Sequence, residues 1–288
     1  MPIRAYRVLN WADPVGDGIS QSRYVGLNGV AKGPLPDQPR IVANELVCSL
    51  LARAILLPTP PGFLVDRSGE PWFVSLDFTI AGEKLPPVNP SRVLADHPRL
   101  ACGILMFDVW VLNSDRHAKN LAHDTTTGAV AVFDHSLALL PRTVPADEFF
   151  SAREGVHGLV RHCLADHIRD GSFFREWQER IEALPDFYVH DALQSATSCG
   201  YSVEEANLIE RFLLERRGAL SELSAALCPN LEPMLELDVA DEPATPEVVD
   251  GDGAGISEGT RHTGETPTEQ PPAGEQEAAA SPEGEVRE

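Results

Sequence analysis

The sequence lacks the marks of a zinc-ribbon, disulfide-bonded or membrane-spanning protein. Its five cysteines include no C-x-x-C pair, so free thiols in a reducing cytosol are the preferred interpretation. No apolar run reaches the roughly 20 residues that cross a bilayer, and no charged segment leads into an apolar one near residue 1. We therefore predict a cytoplasmic protein with no membrane partner.

Lysine is also scarce, and the net charge of the chain is strongly negative. The chain has 20 Arg but only three Lys, and its net charge is −21. Residues 231–288 hold 16 Asp and Glu and two Arg, so this Pro- and Gly-rich stretch carries −14 of that charge. It has too little apolar surface to offset the entropy of ordering, so we predict a disordered acidic tail at 229–288. The charge balance also argues against direct binding of nucleic acid.

Polar residues with a chemically meaningful spacing occur in the middle of the chain. Asp115 and Asn120 are five residues apart, and Asp134 follows a turn and a strand-like run at 129–133. Phosphoryl transfer needs one carboxylate beside the attacking hydroxyl, and an amide oxygen and a second carboxylate that hold Mg²⁺ on the phosphates of ATP. Each residue alone is better explained as a turn or cap residue. Together, in this order, the three favour a catalytic loop.

A lysine and a glutamate that suit an ATP clamp precede this loop. Lys32 ends a strand-like run after an Asn28-Gly29 signal, which predicts a hairpin turn from the preceding strand. Apolar residues at helical spacing predict a helix over 40–56, with Glu45 near its start. In a kinase, such a lysine holds the phosphates and such a glutamate holds the lysine. Favourable placement near a helix N-terminus explains the glutamate equally well if it is taken alone.

Further helices are predicted after residue 90. The pattern indicates one long helix over 91–112 with Ser91 as its cap, and others at about 147–169, 171–184, 186–199 and 203–226. Ser202 and Glu205 have the spacing of a capping box at the start of the last helix.

The motifs resemble a known family. D-R-H-x-x-N at 115–120, followed by a strand and Asp134, resembles both the HipA-like kinases and the phosphoinositide 3-/4-kinases. N-E-L-V at 44–47, L-P-T-P-P at 57–61 and F-D-V-W-V-L-N at 107–113 are similar to the HipA-like pattern. The resemblance covers about residues 15–225.

The resemblance implies a fold, cofactors and a class of substrate. It implies an α+β fold of the bilobal protein-kinase type, with a β-rich N-lobe containing one helix at 1–80 and a mainly helical C-lobe at 81–228. It also implies ATP and Mg²⁺ as cofactors and a serine or threonine of a protein as acceptor. An antitoxin-like or regulatory partner is left open.

Further site candidates come from the same resemblance. His117 either orients Asp115 or touches the phosphates, while a loop histidine bound to backbone carbonyls is an equally good explanation. Lys119 is close enough in sequence to supply a cation to the transition state. A G-x-G-x-x-G loop is absent, and Ser20 and Ser22 are the candidates for a phosphate-covering loop, although an ordinary turn explains them more simply.

Other functions also fit these residues. A small-molecule or lipid kinase fits the same loop motif, and a regulatory pseudokinase fits the missing glycine-rich loop. The histidines suggest a zinc site only weakly, because neither cysteine nor an H-E-x-x-H pattern supports them.

Overall fold

The structure is a computed structural model that describes residues 8–16, 22–77, 87–140, 142, 144–151 and 162–232. All of them lie in one unit, Met1–Glu236. Ser20 and almost all of the predicted acidic tail lie outside the described residues.

The N-terminal part is built from two small antiparallel sheets. One pairs β1 (Val8–Pro14) with β2 (Arg23–Leu27), and the other has the order β3-β5-β4, formed by β3 (Gly29–Lys32), β4 (Gly62–Arg67) and β5 (Glu70–Leu76). The predicted hairpin at Asn28-Gly29 is wrong, because β2 and β3 belong to different sheets. Gly29 serves another purpose, since a Cβ there would lie 2.6 Å from Cγ1 of Val74 on β5.

The predicted helix over 40–56 is confirmed as α1 (Ile41–Ala54). It packs on β4 and β5 on one side and on a helix of the C-terminal part on the other. Because both sides are covered, even its polar residues Asn44, Glu45 and Ser49 are buried. The glutamate is therefore held by packing from two directions.

The C-terminal part is mainly helical. Its helices are α2 (Pro90–Asp96), α3 (Pro98–Trp110), α4 (Ala146–Ser151), α5 (Phe174–Glu182), α6 (Asp186–Ala196), α7 (Val203–Arg216) and α8 (Leu220–Ala226). A hairpin of β6 (Leu121–Asp124) and β7 (Ala129–Val132) follows α3. The core centres on α3, which is buried from Ala101 to Trp110. Together with the sheets, these helices make an α+β fold.

The predicted long helix over 91–112 is wrong in two details. It is divided before Pro98, because proline removes a backbone donor and disfavours helical geometry in the preceding residue. Its cap is Asn89, whose side chain accepts from the backbone N–H of Arg92 at 3.3 Å, and not Ser91.

The later helices follow the predictions more closely. The capping box of Ser202 and Glu205 is confirmed. The exception is the stretch predicted as helix over 147–169. Its described residues 147–151 belong to α4, and among residues 162–169 the helical element is a single 3₁₀ turn, Ala165–His167. Within the described ranges, no helix has both the length and the apolar character needed to cross a bilayer.

The packed chain continues beyond α8. Leu231 packs against the core, and the backbone N–H of Glu232 donates to the carbonyl of Arg169 at 2.7 Å. Asn230 donates to the carbonyl of Asp166 at 2.8 Å. A domain boundary at 228/229 stays a prediction, but these contacts indicate that an intact folded part needs residues up to 232.

We predict that a chain ending at Glu232 melts at the same temperature as the full chain, because the removed residues have no apolar periodicity with which to dock. A chain ending at Leu227 loses buried Cys228 and the packing of Leu231. It should melt about 5 °C lower. Calorimetry of the three chains checks this, and equal melting of both truncated chains would contradict it.

Candidate active site

Lys32 and Glu45 meet at one wall of a cavity. Lys32 is the last residue of β3, where it pairs with Phe73 of β5, and Glu45 lies in the second turn of α1. The lysine Nζ is 2.5 Å from Oε1 of the glutamate. Burial alone would lower the pKa of Lys32. The neighbouring carboxylates of Glu45 and Asp134 raise this pKa by more than burial lowers it, so it lies above its usual value. The structure thus brings together the two residues that the sequence proposed as a clamp.

Asp134 joins this pair from the C-terminal part. Its Oδ1 is 2.8 Å from the Nζ of Lys32. Burial alone would raise the pKa of the carboxyl, but the ammonium lowers it to about 2, so both groups are charged at neutral pH. Asp134 has a φ of +63°, in the left-handed region, where a non-glycine residue stores about 1–3 kcal/mol of strain. The surrounding contacts hold the carboxylate in place against this strain.

Ser136 completes the cluster and was missed from the sequence. Its hydroxyl oxygen is 3.0 Å from the Nζ of Lys32, 2.8 Å from Oε1 of Glu45 and 2.9 Å from Oδ1 of Asp134. Serine two residues after aspartate is a common local turn pattern, and that was the available signal. Local pairing with Asp134 does not predict the two contacts across the cavity.

Beneath this cluster lies the buried guanidinium of Arg116. The side chain grips Asp108 of α3 with two bonds, Nε to Oδ2 at 2.7 Å and an Nη to Oδ1 at 3.0 Å. Another Nη donates to the carbonyls of Asn120 and Phe133, at 2.7 and 2.6 Å. Burial would raise the pKa of Asp108, but the guanidinium holds it well below its usual range. The guanidinium of Arg116 therefore links Asn120, which precedes β6, to Phe133, which follows β7.

Two histidines extend this network. Arg116 has only donors, so Nε2 of His135, 3.0 Å away, must be an unprotonated acceptor. Burial and the nearby guanidinium lower the pKa of His135 to about 3, which keeps its ring neutral. His162 donates from Nε2 to Asp108 at 3.0 Å and accepts at Nδ1 from the backbone N–H of Leu164. Both ring nitrogens of His162 are thus occupied, which leaves none for a zinc ion.

The loop between α3 and β6 carries the other predicted residues. Leu121 pairs with Val132, which places Asn120 beside the end of β7 and close to Asp134. The amide nitrogen of Asn120 donates to the carbonyl of Asp115 at 2.9 Å. The Asp115 side chain itself is 44% exposed, so a substrate can reach it.

His117 and Lys119 stand at the outer side of this loop. Nε2 of His117 is 3.9 Å from Oδ2 of Asp115, which is too far for a hydrogen bond. Its Nδ1 accepts from the backbone N–H of Lys119 at 3.2 Å. Lys119 is exposed and lines the cavity. His117 is thus satisfied by the backbone and does not fix the carboxylate, while Lys119 faces the site.

Contacts from α1 to the C-terminal part hold the Glu45 side of the site. Asn44 donates from its side chain to the carbonyl of Ser136 at 2.9 Å and accepts from the hydroxyl of Tyr201. One turn earlier, Arg40 pairs with Glu205, the residue that closes the capping box of α7. Because α1 is bound at both positions, Glu45 is held in the orientation that meets Lys32.

The cavity has a volume of about 680 Å³. This volume falls within the range of about 300–1,000 Å³ that is usual for small-molecule sites. The lining combines charged and polar groups with apolar side chains from the sheet and from β6. Its charged residues are Lys32, Glu45, Asp77, Lys119 and Asp134, and its apolar residues include Val30, Pro60, Phe73, Leu121 and Ala122. Such a cavity can take a planar apolar group joined to an anionic one.

The residues also suit a magnesium ion. Oδ2 of Asp134 and Oδ1 of Asn120 make no hydrogen bond to the described residues, so oxygen ligands remain available. Among the described ranges, no three His, Cys, Asp or Glu residues cluster in a geometry that could hold a metal by themselves. Magnesium does not need such a cluster, because it usually binds through one or two protein groups plus substrate phosphates and waters.

Comparison with known proteins gives a family and a fold. A family model for HipA-like kinases matches residues 30–188, more than half of the chain. The structure is similar to the Helicobacter pylori proinflammatory kinase CtkA, with a TM-score of 0.50 and 12% identity, over 80% of this chain and 98% of that one. At this identity, the likeness shows the fold alone. No curated protein matches the chain.

A second solved structure is less similar. It holds HipA of Shewanella oneidensis MR-1 in a toxin–antitoxin complex with HipB and operator DNA, and the TM-score is 0.32 at 12% identity. The match covers 77% of this chain and 63% of that one.

We predict that Asp108→Asn destabilises the protein by about 3–5 kcal/mol, because it leaves the Arg116 guanidinium buried without a counter-charge. The control is Glu179→Gln, the same carboxylate-to-amide change in a pair with Arg175 whose side chains are 60% and 89% exposed. That change should cost less than about 1 kcal/mol. Denaturant unfolding measures the free energy of unfolding of both variants. An equal decrease in the two would show that the buried pair stabilises the protein no more than the exposed one.

Proposed function

The chain belongs to the HipA-like kinase family, and from this premise we propose that it transfers the γ-phosphate of ATP, with Mg²⁺, to a hydroxyl of a protein. The family and the kinase-like fold make it a phosphotransferase of the kinase type. The cofactors, the acceptor and the roles of individual residues are the proposed part.

The observation that carries the proposal is the meeting of Lys32, Glu45 and Asp134 at one wall of the cavity. A fixed ammonium beside a fixed carboxylate offers a site for the phosphates of a nucleotide. The apolar side chains of the cavity then accommodate the base. In the proposed complex, Asp134 and Asn120 hold the metal, which when bound neutralises charge that develops on the β- and γ-phosphate oxygens.

Asp115 is proposed as the group that orients the acceptor hydroxyl and receives its proton. The backbone N–H of Asp115 donates to the side chain of Asn113 at 3.3 Å, and its carbonyl accepts from the side chain of Asn120 at 2.9 Å. These two bonds fix the backbone that carries the exposed carboxylate. Lys119 would add positive charge at the transition state, because it lines the cavity next to this loop. An exposed carboxylate is consistent with a large acceptor such as a protein serine or threonine.

Our first functional prediction is that millimolar Mg·ATP raises the melting temperature by about 5–10 °C, since a ligand at 100 times its Kd stabilises the native state by about 2.7 kcal/mol. Asp134→Asn should remove the dependence of this shift on Mg²⁺. Asp191→Asn, which changes an exposed carboxylate on α6, is the matched control and should behave as the unaltered protein. The absence of any shift in the unaltered protein would contradict nucleotide binding.

A second prediction separates binding from transfer. Asp115→Asn keeps the shape and should preserve ATP affinity while lowering phosphate transfer about 10²–10⁴-fold, because general-base help is lost. Lys32→Met should weaken ATP binding as well, since it removes the ammonium from the cavity wall. Radiolabel transfer to the protein itself or to candidate proteins, paired with nucleotide titration, measures both.

Three outcomes of this experiment point elsewhere. Transfer by Asp115→Asn at the unaltered rate would show that the loop is a structural turn. ATP binding without transfer by the unaltered protein would indicate a pseudokinase. Transfer to a small molecule or lipid but to no protein would keep the chemistry and change the acceptor.

A further inference from the structure

The Ser136 hydroxyl lies within hydrogen-bond distance of three charged groups but has one hydrogen to donate. It is 2.8 Å from Oε1 of Glu45 and 2.9 Å from Oδ1 of Asp134, and it accepts from the Nζ of Lys32 at 3.0 Å. A hydroxyl has a single donor and two acceptor positions, so it can serve either carboxylate but not both at once. Its donor can therefore pass from one carboxylate to the other.

The ammonium of Lys32 is fully engaged in this arrangement. It has three hydrogens, and Glu45, Asp134 and Ser136 provide three acceptors at 2.5, 2.8 and 3.0 Å. A phosphate that binds to Lys32 must therefore replace one of these partners.

The geometry indicates which partner is replaced. Glu45 is 4% exposed at its side chain and also accepts from the backbone N–H of His135 at 3.0 Å, so it is fixed and shielded from water. Asp134 lines the same cavity as Glu45, but its side chain is 35% exposed. The contact between Lys32 and Asp134 is thus the one that a ligand in the cavity can open.

We infer that Ser136 is a positioning residue that eases the transfer of Lys32 from Asp134 to a nucleotide phosphate. When the ion pair opens, Oδ1 of Asp134 keeps the hydroxyl of Ser136 as a donor and is not left without a partner. The Lys32–Glu45 pair stays intact meanwhile. This role rests on the proposed nucleotide function and adds to it a residue that acts through its neighbours.

The position of Ser136 is itself well defined. Its carbonyl accepts a hydrogen bond from the side chain of Asn44, a buried residue of α1. Asn44 in turn accepts a hydrogen bond from the hydroxyl of Tyr201. The backbone at Ser136 is therefore tied to α1, the helix that carries Glu45. This arrangement keeps the hydroxyl within reach of both carboxylates.

The test compares ligands with and without phosphates. Ser136→Ala should weaken the binding of ATP and ADP about 3- to 10-fold, the effect of losing one ordinary hydrogen bond. Adenosine, which has no phosphate for Lys32, should bind as tightly as before. Ser136→Thr keeps the hydroxyl and should restore nucleotide affinity, while Ser195→Ala, an exposed serine on α6, is the control.

Isothermal titration of each variant with adenosine, ADP and ATP, with and without Mg²⁺, gives these affinities without any activity assay. An equal loss for adenosine and ATP in Ser136→Ala would overturn the inference, because it would indicate general damage to the cavity. An unchanged ATP affinity would overturn it too. If the unaltered protein bound no adenine nucleotide, the proposed function would fail first, so the two failures are distinguishable.

Discussion

A single buried guanidinium supports the whole C-terminal side of the site. Arg116 is 1% exposed, and its fork is paired with Asp108 on α3, the most deeply buried helix. Arginine suits this position because its planar fork presents five donors and stays charged when buried. Since one side chain binds the carbonyls of Asn120 and Phe133, the residues that precede β6 and Asp134 keep a fixed separation.

The opposite side of the site depends on α1. This helix packs on β4 and β5 on one side and on α6 on the other. Arg40, just before the helix, pairs with Glu205 of α7, and Asn44 donates to the carbonyl of Ser136. A helix bound to both parts holds Glu45 where Lys32 can reach it. The Lys32–Glu45 pair is therefore already formed in the structure without a ligand, and the half-buried Asp134 joins it from the cavity wall.

Much of this arrangement could be predicted from local sequence. The α1 helix, the β6–β7 hairpin and the capping box of α7 depend on neighbours in sequence, and apolar spacing or turn residues reveal them. The predictions failed where a distant contact decided the outcome. Gly29 resembled a hairpin turn but allows β3 to approach Val74, a residue 45 positions away. Proline at position 98 was a local signal that the apolar run of 91–112 obscured.

The family resemblance, the α+β class and the residue types of the site could all be inferred from the sequence, because D-x-x-x-x-N, the later Asp134 and the Lys32–Glu45 spacing are patterns along the chain. The side chains that complete the site became apparent from the folded structure. Ser136 reaches Lys32 across 104 positions, and His162 reaches Asp108 across 54. Hydrogen bonds depend on distance and direction in space, and separation along the chain carries no information about either until the core has packed.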